Sequence, residues 1–403
     1  MKLIIGGDIV ANESNIMLFK TGNLEKIMGQ ELLNHWNKSD FRFFNLEAPL
    51  TKSNKKINKS GANLSNDPDI LEGLAKMNPT CVFLANNHIM DYGEEGLKDT
   101  LYYLNKKNIN WIGVGNSLNE TKKYFVIKKE SIKVGVYNCC ETEFSIATEN
   151  KCGANPFDIY TIDNDIKKIK SICDYLIVIY HGGKEYYRYP SPMLQKKCRK
   201  MIEFGANIVL CQHSHCIGCK EEYNNGIIVY GQGNFIFNKK SNEFWNNSLL
   251  VEVNITKEKF EINYLPIVRT IFGTRIADKN ESAETIKSFI RRSNDILKKD
   301  FIENNYSLFS REYVESYIKP FYSRKIISKV CFKFFKIKPS NYISDDSLWG
   351  ILNSLQCDDH RELFKNGIKE IIKERMLKKG EINENSSSRN WLCRIISSYI
   401  TKC

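Results

Sequence analysis

Four of the chain's six histidines, His88, His181, His213 and His215, fall where an apolar run stops. The densest cluster is Cys211-Gln212-His213-Ser214-His215, which follows an apolar stretch over 206–210. Such a run, bounded by polar residues, reads as a buried parallel strand. Open α/β sheets collect ligands beyond their strands' C-terminal ends. On an extended segment, residues i and i+2 point the same way, so His213 and His215 are expected to reach one point. A divalent metal is the natural occupant of such a point. Asp8, Glu47 and Asn87 also stand at the ends of apolar runs. Taken singly, each is an ordinary strand-end cap. Taken together, they form a mixed oxygen and nitrogen donor set that suits Mn²⁺, Fe²⁺ or Zn²⁺. It holds too many imidazoles for Ca²⁺ or Mg²⁺ alone. Six candidate ligands exceed what one tetrahedral ion uses, so two divalent ions bridged by a carboxylate are expected.

The elements that must position these residues alternate through the first two-thirds of the chain, the pattern of a layered α/β fold. Strands are predicted over 2–5, 41–44, 81–85, 111–114, 132–137, 175–180, 206–210, 227–230, 249–255 and 259–265. The charged residues 128–130 suggest a hairpin between the 111–114 and 132–137 strands. Helices are predicted over 68–77, 94–107, 161–173 and 193–204, the last closed by Gly205. If the strands are parallel, Asp8, Glu47, Asn87 with His88, His181, and His213 with His215 gather at one edge. His35 and His360 fall elsewhere.

From about residue 278 the character becomes helical and basic. Helices are expected over 282–297, 311–321, 324–338, 345–355 and 359–379, then a polar linker over 381–390 and a short amphipathic helix over 391–400. The resulting domains are 1–277, 278–380 and 381–403. Ile326, Val330 and Phe334 share one face of the 324–338 helix, and six Lys or Arg flank them without an acid. That pattern suits either packing on the catalytic domain or peripheral contact with an anionic membrane face.

Composition narrows the class. The chain is 42% hydrophobic and 26% charged, ordinary for a globular protein. No apolar run approaches the ~20 residues a membrane span needs, and residues 1–8 lack a signal-peptide pattern. Thirteen cysteines without a framework spacing fit a reducing interior, so a cytoplasmic location is expected. The net charge of +12 allows anionic partners. No nucleic-acid module accompanies it, and no nucleic-acid partner is expected. Cys216 and Cys219 form a Cys-x-x-Cys without a second pair to complete a zinc site, and read as incidental.

Six blocks then occur in order: Gly7-Asp8; Asn45-Leu46-Glu47; Asn86-Asn87-His88 with Asp91 and Gly93; His181-Gly182-Gly183-Lys184-Glu185-Tyr186; His213-Ser214-His215; and Tyr230-Gly231-Gln232-Gly233-Asn234-Phe235. In these, residues 1–255 resemble the CapA family of capsule and poly-γ-glutamate synthesis proteins, with a calcineurin-like metallophosphatase fold. The resemblance implies a four-layer α/β metallophosphatase-like sandwich with a helical C-terminal extension. It implies Asp8 and His215 as ligands of a first metal, Glu47 as the bridging carboxylate, and Asn87, His181 and His213 as ligands of a second. It implies His88 with Asp91 as the pair that protonates a leaving group or stabilises an oxyanion, and Asn234 as a residue that shapes the site. The chain departs from metallophosphatases at Val10, where they carry a histidine, at Glu47 in place of Asp, and at Gly182, where an aromatic wall is missing. The first metal therefore has fewer ligands. The implied function is metal-dependent hydrolysis or transfer on a phosphoester, or on an amide of an anionic polymer or peptide. The alternatives are a peptide epimerase-like acid–base enzyme and a non-catalytic polymer-binding assembly factor.

Overall fold

A computed structural model of the chain describes residues 1–237, 243–318 and 343–378. Two sheets carry it. The first runs in the order Thr274–Ile276, Phe260–Arg269, Asn247–Ile255, Lys2–Val10, Phe41–Leu46, Cys81–Phe83, Trp111–Ile112, and Asn234–Phe237 also pairs with Lys2–Val10. Its four members from Lys2–Val10 to Trp111–Ile112 are parallel. The second sheet runs Lys220–Tyr223, Gly226–Val229, Ile208–Gln212, Tyr175–His181, Ile132–Cys140, Phe125–Lys129, with four parallel strands between two antiparallel edges.

Side-chain alternation along these strands builds the layers. Leu3, Ile5, Phe43 and Phe83 of the first sheet meet Val134, Val136, Ile177, Ile179 and Leu210 of the second in one buried cluster. Ile4, Phe44 and Val82 point the other way, under Leu32, Trp36, Leu74 and Leu97 of the helices Leu24–Asn37, Leu71–Lys76 and Gly93–Lys106. Val178, Tyr180 and Val209 lie under Ile166, Ile169, Cys198 and Met201 of Ile162–Lys170 and Pro192–Glu203. Each fully buried Ile, Val or Leu contributes about 1.5–3 kcal/mol. The result is helix, sheet, sheet, helix: the expected four-layer sandwich.

The helix Pro192–Glu203 shows why such an element is readable. Ser191 caps it by accepting from the Leu194 N–H, and Pro192 occupies its first turn. Gly205, at φ +123°, lets the next N–H groups bond back to Ile202 and Met201.

Several expectations are corrected. The hairpin pairs Phe125–Lys129 with Ile132–Cys140, whereas Trp111–Ile112 joins the other sheet beside Cys81–Phe83. The first strand continues through Asp8 to Val10, and the 132–137 strand continues to Cys140. The helix Leu24–Asn37 was not anticipated. Leu24, Ile27, Met28, Leu32 and Trp36 give it a buried stripe, and Gly29, at φ +69°, interrupts it.

After the sandwich, Asp278 and Glu281 form a reciprocal capping box that starts Lys279–Asp295. Phe301–Ile318, Asp345–Gln356 and Asp358–Lys378 complete the helical extension. It packs on the second sheet's side, where Tyr187 stacks on Phe309 at 4.3 Å and touches Tyr306 at 5.5 Å. The basic 324–338 helix, the 381–390 linker and the 391–400 helix lie outside the described residues. Among the described residues, no helix is long and apolar enough to cross a membrane.

Candidate metal centre

Both sheets direct the C-terminal ends of their parallel strands to one place. There the backbone is tightly constrained. A Cβ on Gly7 would lie 2.0 Å from the Gly233 carbonyl oxygen, so only glycine lets the first strand approach the 231–233 loop.

Asp8, 1% exposed, accepts from Asn45 Nδ2 at 2.8 Å and lies 3.6 Å from His215 Nδ1 and 3.8 Å from His181 Nδ1. Glu47, fully buried, stands 3.3 Å from His181 Nε2 and 4.0 Å from His215 Nδ1. Asn87 places its side-chain oxygen 3.1 Å from His181 Nε2. The rings of His181 and His213 stand 4.9 Å apart, edge to face. Donor atoms of Glu47, His181 and His213 all lie within 4.8 Å of one another, and so do those of Asp8, Glu47 and His215. The two triads share Glu47.

The extended-segment expectation for His213 and His215 does not hold. Both residues have positive φ, +89° and +54°, a strained conformation for a non-glycine residue. Their rings stand 6.0 Å apart and turn to different triads. Asn234 Oδ1, 2.9 Å from His215 Nδ1, fixes that ring, and Trp245 packs on it at 4.9 Å.

Electrostatically the pocket is divided. Burial, reinforced by Asp8, pushes the Glu47 carboxyl up to about 8. Burial depresses the His181 and His213 imidazoles to about 3, holding them neutral and able to donate lone pairs. For His215, burial is outweighed by Glu47 and Asp8, and its imidazole is pushed up to about 10. Both Glu47 oxygens and His213 Nδ1 are buried without a hydrogen-bond partner. Buried polar atoms of this kind are expensive unless something pairs with them. A divalent cation fits that deficit, so the residues present suit the implied metals.

His88 and Asp91 come together beside this pocket. His88 Nδ1 is 2.6 Å from Asp91 Oδ2, which also accepts from the Leu64 N–H at 2.7 Å. Lys59, nearly buried, pairs with Asp91 Oδ1 at 2.5 Å.

Sequence reasoning missed several neighbours. Asn45 braces Asp8, and Asn86 in turn donates to Asn45 Oδ1 at 3.1 Å. Glu141 stands 3.5 Å from His213 Nε2. It follows the strand Ile132–Cys140, so the strand-end rule would have found it had that strand been read to its full length. Burial and then Asp359 push the Glu141 carboxyl well up. His360 had been set apart from the strand-end histidines, yet the helix Asp358–Lys378 brings it near Glu143 and Cys357. Its Nδ1 is 2.9 Å from the Tyr317 hydroxyl. A cleft of about 500 Å³ opens here, lined by Lys184, Glu185, Tyr186, Tyr317 and His360. Cys216 and Cys219 are both buried, and burial raises both thiols, which keeps them inert.

Residues 2–239 match the family model described as bacterial capsule synthesis protein PGA_cap. The PGA biosynthesis protein CapA of Bacillus subtilis (strain 168) is 32% identical over 241 residues, covering 57% of this chain and 62% of that protein. The capsule biosynthesis protein CapA of Bacillus anthracis is 28% identical over 210 residues, covering 50% and 51%. The chain therefore spans about half to three-fifths of the length of these curated relatives. Among solved structures, a putative 5'-nucleotidase from Staphylococcus aureus aligns over 71% of this chain and 58% of its own, at 15% identity and a TM-score of 0.43.

Proposed function

This chain belongs to the bacterial capsule synthesis family PGA_cap, and from that premise we propose that its strand-end pocket is a divalent-metal centre. We infer that it serves a hydrolase-like step of capsule or poly-γ-glutamate synthesis. The substrate is a phosphoester, or an amide of an anionic polymer or peptide. The observation that supports this best is Glu47, shared by two triads and buried with both oxygens unpaired.

Asp8, Glu47 and His215 would hold one ion; Glu47, His181, His213 and Asn87 would hold the other. Divalent ions there supply positive charge that stabilises developing oxyanions and acidifies water. The remaining work falls to the chain's own groups. Asn45 and Asn234 orient Asp8 and His215. Asp91 accepts from His88 Nδ1, which leaves Nε2 as the nitrogen free to exchange a proton with substrate. Lys59 holds Asp91 in place for that task. The cleft past Glu185 and Tyr186 is the route by which substrate reaches them.

The test is a turnover screen with p-nitrophenyl phosphate and with γ-glutamyl peptides, on the native chain and on His88→Asn. The expected result is turnover of one class by the native chain, and at least a hundredfold loss in His88→Asn with its bound metal retained. Undiminished turnover in His88→Asn would contradict the assignment. The His88–Asp91 pair also suits a second reading, proton abstraction at Cα as in an epimerase. Deuterium uptake at Cα of the peptide without hydrolysis would select it.

A further inference from the structure

A large cavity lies apart from the metal pocket. It has a volume of about 810 Å³ and lies between the helices Pro192–Glu203 and Asp358–Lys378. Lys196, Lys197 and Lys200 line it from the first helix, and Arg361, Lys365 and Lys369 from the second. Lys196 and Lys200, and Arg361, Lys365 and Lys369, recur at spacings of four and so form a ridge on each helix. Three acids also line the cavity, Asp158, Asp358 and Glu362. All three are already engaged. Asp158 accepts from the Tyr160 N–H at 3.0 Å and from Thr161 Oγ1 at 3.1 Å. Asp358 pairs with Lys197 at 2.7 Å and with Arg361. Glu362 accepts from Ser191 Oγ at 2.6 Å and from the Met193 N–H at 3.1 Å.

Lys200 pairs with Glu203 at 2.6 Å. Lys196, Lys365 and Lys369 make no ion pair with any described residue. Burial and then the like charge of Lys365 depress the Lys369 ammonium, and the pull of Glu362 and Glu370 does not offset them. Like charges four residues apart on a helix weaken it, so Lys365 and Lys369 add nothing to the helix that carries them. Phe157, Ile159, Tyr160 and Met193 line the same cavity, with Tyr160 88% exposed. They offer apolar surface beside the charges. Thr142, also in the wall, directly follows Glu141, which faces His213.

We propose that this groove is a second binding site, separate from the metal centre, for an anion that carries several carboxylate or phosphate groups. The cations bind the charged groups, and the apolar residues pack against the hydrocarbon that links them. The proposal rests on the reading of an anionic substrate only in the choice of probe. Held there, a multivalent anion would lie against the outer side of the wall that backs His213.

The test is fluorescence anisotropy of a labelled hexa-γ-glutamate on the full chain, with inorganic tripolyphosphate as competitor. Binding to the native chain should weaken steeply with salt. It should weaken at least tenfold in Lys365→Gln/Lys369→Gln and again in Lys196→Glu on the facing helix, while Lys128→Gln on the distant hairpin leaves it unchanged. A better fit for hexaglutamate identifies a carboxylate chain as the ligand, and a better fit for tripolyphosphate identifies a phosphate source; either supports the groove. Binding unchanged within twofold in both groove variants would overturn it, as would no binding by the native chain. Glu47→Gln separates this proposal from the metal reading. Binding kept in Glu47→Gln but lost in the lysine variants supports the groove. The reverse places the anion at the metal centre and refutes it.

Discussion

The strand-end pocket and the helical layer beside it are built on different principles. In the pocket, every candidate ligand stands on or just past a strand whose backbone is fixed on both sides by ladder hydrogen bonds. Asp8 pairs in register with Asn45 on one side and Asn234 on the other. His181 pairs with Gln212 and with Cys140. The helical layer has no such ladder to the core. Side chains hold it: the Tyr187–Phe309 stack, the Lys197–Asp358 ion pair, and Glu362 against Ser191. Chemistry that needs ligand atoms placed within fractions of an ångström sits on the first kind of support. The second kind borders the pocket through Asp359 and His360, which suits a wall that recognises substrate.

The contrast can be broken at the pocket first. Gly7→Ala would drive a methyl into the Gly233 carbonyl, backbone against backbone. The expected loss is about 3 kcal/mol or more, with little folded protein recovered, read as a shift in the urea midpoint. A loss under about 1 kcal/mol would mean the strand end is far less constrained than described.

Tyr187→Ala attacks the helical layer. It removes a buried ring that packs on Phe309 and Tyr306 and donates to Asn305 at 2.6 Å. A loss of about 3 kcal/mol is expected. Amide exchange should rise in Phe301–Ile318 and Asp358–Lys378, while protection in the two sheets and the metal content stay as they were. Loss of metal together with the helices would show that the two regions are one unit.

The smallest effect concerns pH. Burial raises the Glu362 carboxyl to about 7 from an ordinary 4.5. A raised carboxyl favours its neutral form in the folded state. Its contribution is therefore complete below pH 4.5 and falls away as pH rises towards 7. Glu362→Gln should flatten this slope and leave the helical layer about 1 kcal/mol more stable at pH 8. Denaturant melts at pH 5 and pH 8 would show it. An unchanged slope would remove Glu362 as the cause.

The two regions were also unequally legible in the sequence. A parallel strand announces itself as an apolar run, and the first polar residues past it are in the pocket by geometry, which is how Asp8, Glu47, Asn87, His181, His213 and His215 were found. Glu141 escaped because the predicted strand stops at 137, whereas Asn138 continues it, fully buried and donating to the Ile179 carbonyl at 3.2 Å. The opposite turns of His213 and His215 follow the division that the family resemblance implies but escaped the strand pattern, because positive φ is rare outside glycine and leaves no mark in residue type. His360, Asp359 and Lys59 could not be seen at all. Each reaches the site through tertiary packing across more than a hundred residues, or through an irregular loop, and no local periodicity encodes that.

The central claim is that Glu47 binds two divalent ions jointly with its two triads. Elemental analysis of purified native chain and Glu47→Gln, with folding checked by circular dichroism, tests it most directly. The account predicts about two Mn, Fe or Zn per native chain and near-complete loss in Glu47→Gln, because both triads lose their shared ligand. A native chain that stays metal-free in metal-supplemented buffer, or a Glu47→Gln chain with undiminished metal, would contradict it.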